Sequence, residues 1–498
     1  MNILSANGRW PYWLAATLLT LTLVVGGSVQ ALPMLRLADQ LLAVGVIVVV
    51  LISARTFHLR GLALFGCILC IAIAALPLLQ IVPLPAGIWH AFPGRDVPSA
   101  VGAVFGFDTA SMPLSLDPDA TFASLLGALP AFAAFAVAHK VNAPGHVRLL
   151  LVLVGLALLS LVIGVVQVTT GQGYFYETAH EGLPIGLFAN RNHQADLMLV
   201  GIIVSMVLGT RPQLFPGLRL FRPALFAAAA AMTAGVVATG SRSGMALLLY
   251  AVVAVFLLSG KVALSPKRMA IAAVATVIIP LCLILAGSQV VTQSLHRFDR
   301  QQTDQRFDFW PAARWTAEHY FPAGAGIGTF DPVFRANEPL SLVGAHYIVH
   351  AHNEYIEIPL EGGLPGLLLI LCFCIWWALA TIRVGKADGR DLDALLGRIG
   401  SALIPIFLLH SAFDYPLRMI GLMTVFGFAC GLLSRALLWR VSSPSPVKAQ
   451  VTVPQRHEAR ASPGGNVHSF RATRKRQAPI DGTYLPEGGR GTSSEVQR

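Results

Sequence analysis

Arg242 stands in the segment Thr239-Gly-Ser-Arg-Ser-Gly244, between two apolar runs joined by a turn too short to reach bulk water. An arginine near membrane depth is costly and usually faces a cavity or a partner; the bland reading is a helix-end side chain snorkelling to the interface. Arg306, four residues before Trp310, is a second arginine of interest. Guanidinium groups bind phosphate oxygens in bidentate geometry, so Arg242 and Arg306 together point to an anion, although Arg306 alone also reads as a solvated loop charge. His350 and His352 stand in His-Ala-His-Asn353-Glu-Tyr355. A neutral imidazole takes a proton near pH 7, which suits a general base. A metal site fits less well, because no cysteine or tight carboxylate cluster completes a tetrahedral set, and a capping histidine is the structural alternative. Glu357 and Glu361 follow at i, i+4 spacing, placed to orient a histidine or meet the arginines.

Three further clusters carry polar groups in apolar surroundings. Asn190 and Arg191 lie in Phe188-Ala-Asn-Arg-Asn-His193, and His410 and Asp414 stand four apart on an expected helix face, followed by Pro416 and Arg418. His410 and Asp414 read equally as a hydrogen-bonded pair closing a bundle or as substrate contacts. The repeat Gly324-x-Gly326-x-Gly328 superficially resembles a dinucleotide loop, but it lacks the preceding strand and following helix. It reads better as a flexible turn.

The elements that must position these residues are membrane helices. The chain of 498 residues is 55% hydrophobic and 12% charged, with mean hydropathy +0.65, which leaves too little polar material to coat soluble globules. Apolar runs near the ~20 residues that cross a bilayer fall at about 11–31, 38–54, 62–81, 121–138, 149–169, 194–210, 223–240, 243–260, 269–290, 356–382, 399–413 and 417–439. The expected fold is therefore all-α and polytopic, with about twelve transmembrane helices over residues 1–440. The sixth run contains Asp196, and the eleventh is short and contains Pro405, so these two are the weakest spans. The first run is not read as a cleaved signal peptide, since Trp10, Tyr12 and Trp13 form an interfacial belt and no cleavage site follows. All six cysteines fall inside apolar runs and read as packing residues, the Cys67–Cys70 pair included.

Charge bias orients the spans. With the amino terminus in the cytoplasm, fourteen basic residues fall on inner loops: Arg55, Arg60, Lys140, Arg148, Arg211, Arg219, Arg222, Lys261, Lys267, Arg268, Arg383, Lys386, Arg390 and Arg398. The short outer loops hold five, Arg36, Arg95, Arg191, Arg242 and Arg418. This bias puts both termini in the cytoplasm and every polar cluster above on the outer face. The segment 291–355 becomes a large extracytoplasmic loop; it holds Arg297, Arg300, Arg306, Arg314 and Arg335, but long loops escape the charge rule, and loops of that length are usually functional. Net charge is +11, with much of the excess in the tail 441–498, which is rich in Pro, Gly and Ser and reads as disordered. Its run from Arg471 to Arg476 suits anionic lipid headgroups, or is solvated without a role; nucleic acid is not an expected partner.

The ordered set Thr-Gly-Ser-Arg-Ser-Gly (239–244), Arg306-x-x-x-Trp310, Pro322-x-Gly-x-Gly-x-Gly328, His350-x-His-Asn-x-Tyr355, Glu361-Gly-Gly-x-x-Gly366 and His410-Ser-x-x-Asp-x-Pro-Leu417 resembles the O-antigen ligase and O-antigen polymerase (Wzy-type) superfamily. Phe188-x-Asn-x-Asn192 is similar to a segment of that family too, and the resemblance runs from about residue 70 to 440. It implies a GT-C-like glycosyltransferase of the bacterial inner membrane whose donor is a glycan on undecaprenyl diphosphate, with no cofactor and no metal. On that resemblance Arg242 and Arg306 hold the diphosphate, His352 activates the acceptor hydroxyl for inverting attack, and His350 is the less certain of the two histidines. Asn190, Arg191, Asn353, Glu357, Glu361, His410 and Asp414 are further candidate site residues.

The physics of the reaction is compatible with these expectations. A lipid diphosphate gains charge as it leaves, and preplaced arginines stabilise it. The resemblance leaves open a polymerase of O-antigen or exopolysaccharide, the favoured reading, and a ligase passing glycan to lipid A core or another acceptor in lipopolysaccharide assembly. Export and chain-length proteins are the partners expected beside glycan and membrane lipids. A transporter or flippase is the alternative of another class; it requires polar residues at mid-bilayer and an internal repeat, and the sequence shows neither.

Overall fold

Polar caps decide where the apolar runs become helices in the computed structural model, which describes residues 9–28, 33–53, 59–176, 182–259, 306–344, 347–387 and 391–442. The helices are α1 (Arg9–Val25), α2 (Pro33–Ile52), α3 (Gly61–Ile81), the short α4 (Ala86–Trp89) and α5 (Asp96–Phe105), then α6 (Pro118–Ala138), α7 (Ala143–Thr170), α8 (Arg191–Gly209), α9 (Phe221–Ala238) and α10 (Arg242–Ser259). After the long loop come α11 (Arg306–Tyr320), α12 (Phe330–Asn337), α13 (Glu354–Gly385), α14 (Leu392–His410) and α15 (Ile420–Ser442). Two-residue strands, β1 (Pro83–Leu84) and β2 (Met112–Pro113), pair antiparallel and close the loop between α3 and α6. Side-chain oxygens of Asp117, Asn142, Asn190, Asn353 and Asp391 accept a backbone N–H at the starts of α6, α7, α8, α13 and α14. Each replaces a partner that the first turn of a helix lacks.

Ten of the described helices are long and apolar enough to cross a membrane. The protein is thus all-α and polytopic. Of the twelve expected spans, the one at 269–290 lies outside the described residues, as do the tail from 443 and Arg297 and Arg300 of the long loop. The first span is shorter than expected: α1 has 17 residues and ends at Val25. Beyond it the chain bends at Gly27, and the carbonyls of Gly26 and Gly27 accept from Gly421 and Ala189 rather than from a continuing helix. Pro405, expected to weaken the eleventh span, is accommodated inside α14, which begins seven residues earlier than its apolar run.

The innermost helices are α8, α14 and α15, whose spans are 94%, 72% and 83% buried, against 17–22% for α2, α3 and α13 at the rim. Small residues allow the close packing at the centre. A Cβ on Gly431 of α15 would lie 2.6 Å from that of Ala138 on α6, and one on Gly400 of α14 would lie 2.5 Å from the Ala429 carbonyl of α15. Backbones can approach this closely only where side chains are missing, which is the usual basis of helix association in lipid. The rim helix α13 instead exposes Leu364, Leu368, Leu371, Ile375, Leu379 and Ile382, apolar residues that lipid satisfies.

The two ends of the bundle differ in chemistry. At one end Lys140, Arg211, Arg222, Arg398 and Arg435 donate to carbonyls of Ser53, Leu258, Gly209, Val384 and His139, the last residues of spans or the turns just after them. Cations beside carboxyl-terminal helix ends are favourable. The candidate functional residues lie at the opposite end.

Candidate active site

Seven described helices bring their ends together here. The amino termini of α8, α10, α11, α13 and α15 meet the carboxyl terminus of α14, and the end of α3 approaches through Gln80. The segment 411–419, linking α14 to α15, lies among them.

Asp414 is the centre of this arrangement and is wholly buried. Its Oδ2 accepts from Asn192 Nδ2 at 2.6 Å and from Asn190 Nδ2 at 3.3 Å, both at the start of α8. Its Oδ1 accepts from the Tyr415 N–H at 3.0 Å and lies 3.1 Å from His352 Nδ1. His193 Nε2 is 3.9 Å from the same oxygen, and an Arg306 Nη2 is 3.8 Å from Oδ2. Arg306 also donates through Nη1 to the Phe413 carbonyl. Burial pushes the Asp414 carboxyl up, but the His352 hydrogen bond and the charges of His193, His352 and Arg306 outweigh it and hold the group well below its ordinary value. A carboxylate at Nδ1 fixes the imidazole tautomer that leaves Nε2 as the unprotonated nitrogen. Nε2 of His352 has no hydrogen-bond partner among the described residues, and the side chain is 28% exposed. The backbone of His352 sits at φ 48°, outside the region most side chains prefer. Such strain persists where surrounding structure demands one orientation.

A second imidazole–carboxylate pair lies alongside. His350 Nδ1 is 2.8 Å from Glu357 Oε1, and Glu357 Oε2 accepts from the Ala351 N–H. The carboxylate also meets Arg418 at 3.4 Å, and Arg418 donates to Glu361 Oε2 at 2.7 Å. The sequence offered two roles for Glu357 and Glu361, orienting a histidine or meeting an arginine; Glu357 has contacts of both kinds. Burial works against the Arg418 cation, but Glu361, Glu357 and Glu354 override it and hold its charge more firmly than in water. Tyr415 fills the space between the pairs, with its ring 4.4 Å from His350, 4.8 Å from His352 and 5.3 Å from His193. Asn353 caps α13 by accepting from the Tyr355 N–H, and so fixes the segment holding both histidines. Trp310, on α11, donates to the Ala351 carbonyl between them.

The glycine repeat is not a flexible turn. It is docked on a break in α13, where Gly363 takes φ 56°. Ala325 and Gly326 donate to the carbonyls of Leu360 and Glu361, Leu364 donates to Pro322, and Gln80 bridges the Glu361 carbonyl and the Ile327 N–H. Glycine is required by the approach as well as by the dihedrals: a Cβ on Gly324, at φ 82°, would lie 2.5 Å from the Glu361 carbonyl oxygen.

His410 and Asp414 are not a side-chain pair. Helix α14 stops at His410, so the residues after it leave the helix face that an i, i+4 spacing assumes, and only a backbone bond from Asp414 N–H to the His410 carbonyl joins the two. The His410 ring turns instead to Asp196 Oδ1 and Ser243 Oγ, each at 2.7 Å. Asp196, taken from sequence only as a blemish in a span, is fully buried. Arg191 and Arg242 are the first residues of α8 and α10, and Arg242 is exposed. Helix amino termini carry partial positive charge, so a cation there is favourable only if an anion joins it. Among the described residues no three His, Cys, Asp or Glu side chains are grouped to hold a metal ion.

The sequence reading missed Asn192, His193, Asp196, Ser243 and Tyr415 as site neighbours, although four of them lie in or next to segments it had singled out. Gln80 left no signal, and Arg95 was read only as an outer-loop charge. Arg95 is buried, donates to the carbonyls of Leu114 and Gly324, and lies over the rings of Trp89 and Tyr320. Burial lowers its guanidinium to about 10.

No curated protein matches the chain. A family model described as O-antigen ligase matches residues 227–371, a stretch that includes Arg242, Arg306, His350, His352, Glu357 and Glu361 and stops short of His410 and Asp414. Together with the helical bundle and the site gathered at one end of it, this match over residues 227–371 supports a relationship to the O-antigen ligase and polymerase superfamily.

Proposed function

We propose that the protein is an inverting glycosyltransferase that lengthens or transfers a glycan carried on undecaprenyl diphosphate, working without a metal ion at the periplasmic face of the bacterial inner membrane. The observation that carries this reading is the Asp414–His352 pair, with Nε2 of His352 unengaged among the described residues and Arg306 held beside the same carboxylate. In the reaction the acceptor hydroxyl oxygen attacks the anomeric carbon, and the bond from that carbon to the diphosphate oxygen breaks. His352 Nε2 takes the hydroxyl proton, and Asp414 stabilises the imidazolium that results. Undecaprenyl diphosphate departs with the bonding electrons, and Arg242 and Arg306 stabilise its added charge. The apolar rim beside α13 suits the polyprenyl chain, and the end of the bundle that carries His352 and Asp414 suits the sugars.

Purified protein supplied with lipid-linked repeat units tests this reading. His352→Ala and His352→Gln are each expected to lose on the order of 10²-fold or more in turnover, because glutamine keeps a hydrogen bond but cannot take a proton. Near-normal turnover in His352→Gln removes the base assignment. A requirement for a divalent ion, seen as loss with EDTA and recovery on adding the ion, removes metal independence. Longer glycan on the lipid carrier marks the polymerase, the favoured reading; glycan moved to added lipid A core marks the ligase.

A further inference from the structure

Three polar side chains are buried together in the bundle without any role in the reaction just described. Asp196 of α8 and His410 of α14 are completely buried, and Ser243 of α10 is partly so. Asp196 Oδ1 lies 2.7 Å from His410 Nδ1, and His410 Nε2 lies 2.7 Å from Ser243 Oγ. The chain continues at 3.3 Å to Ser241 Oγ, which accepts from the Gly244 N–H at 3.0 Å, and the Thr239 hydroxyl accepts from the Ser241 N–H. Hydrogen bonds thus grip the turn 239–244 on both sides of Arg242. At the other end, the His410 carbonyl accepts from the Asp414 N–H, so the same residue is tied to the base's partner.

Burying such a chain is expensive, and a well-packed apolar trio of the same volume would commonly be at least as stable. A polar network nevertheless fixes one geometry, where apolar side chains allow several. We propose that Asp196, His410 and Ser243 form a strut that positions Arg242 relative to Asp414, setting the span between the anion-binding arginine and the base. All three are positioning residues, acting through Arg242 on the diphosphate. The inference rests on the proposed function for the identity of the anion.

The test is a double-mutant cycle on the full-length protein in nanodiscs, read by calorimetric binding of inorganic pyrophosphate and by donor KM and kcat. Ser243→Ala is expected to weaken pyrophosphate binding and raise donor KM about ten-fold, in line with a misplaced charge-assisted contact, with a much smaller change in kcat, while the fall in melting temperature from the unpaired His410 ring is the same with or without Arg242. Ser243→Thr, which keeps the hydroxyl, is expected to restore binding. In an Arg242→Ala background, Ser243→Ala should cost nothing further, since residues acting through one another are not additive.

An equal loss in both backgrounds, or no loss in either, overturns the strut. Stoichiometric labelling of Ser243 by a fluorophosphonate also overturns it, because the same three residues in the same geometry would then be a nucleophilic triad. If the wild type binds pyrophosphate with the expected coupling but transfers no glycan, the strut stands and the glycosyltransferase reading falls. If it transfers glycan with no coupling, the reverse holds. Failure to bind either pyrophosphate or lipid-linked donor overturns both.

Discussion

Asp414 is the residue on which most of the site converges, and its charge decides what the neighbours do. With the carboxyl held well below its ordinary value, it is ionised throughout the range in which enzymes of this kind are assayed. A depressed carboxyl contributes stability that is fully present above its unfolded value of about 3.9 and is lost as pH falls through the lower folded value. Asp414 therefore accounts for no loss of activity above pH ~4, and an acid limb at higher pH belongs to another group. Asp414→Asn is expected to lower turnover on the order of 10²-fold or more, because the amide neither fixes the His352 tautomer nor stabilises its imidazolium. The measurement is a pH–rate profile of both proteins with lipid-linked glycan. A wild-type rate in the variant would show that His352 needs no carboxylate partner.

At the scale of elements, the segment that matters is the broken helix α13 with the loop 322–328 docked on it. The break places Glu354, Glu357 and Glu361 of the first turns towards Leu417, His350 and Arg418, while the rest of the helix faces outward along the rim. Gly324→Ala combines a positive φ with a clash against backbone and is expected to destabilise by about 1–3 kcal/mol. Gly217 supplies the control: its φ of 80° is similar, but nothing lies within 4 Å of an added Cβ. Thermal unfolding in detergent should therefore show a larger fall in melting temperature for Gly324→Ala than for Gly217→Ala. Equal falls would mean that the dihedral alone matters and that close docking on α13 contributes nothing.

For the whole molecule, the structure separates a basic end, where Lys140, Arg211, Arg222, Arg398 and Arg435 hold carbonyls, from the end carrying the candidate site. The loop charges counted from sequence point the basic end towards the cytoplasm. Reporter fusions near residues 145, 215 and 390 are expected to be cytoplasmic, and fusions near 105, 180 and 320 extracytoplasmic. The reverse pattern would place the site where lipid-linked glycans are not presented on the outer leaflet, and the proposed reaction at the periplasmic face would be abandoned.

The sequence by itself determined the class of fold, the approximate position of nearly every described span, and the segments from which the site is built. These depend on local quantities: apolar run length against bilayer thickness, caps, and polar residues where lipid tolerates few. It did not determine which side chains meet. His410 and Asp414 looked like one pair, yet the end of α14 sends the first to Asp196 and Ser243 and the second to His352 and the asparagines of α8. The glycines 324–328 looked loose because the helix break at Gly363, which they fit, is a partner far along the chain that no local pattern announces. The roles of Gln80 and Arg95 were illegible for the same reason, since a lone polar residue acquires a role only when the bundle brings it to distant carbonyls. Residue type and spacing set the chemistry available, and long-range packing of helix ends chose the pairs that carry it.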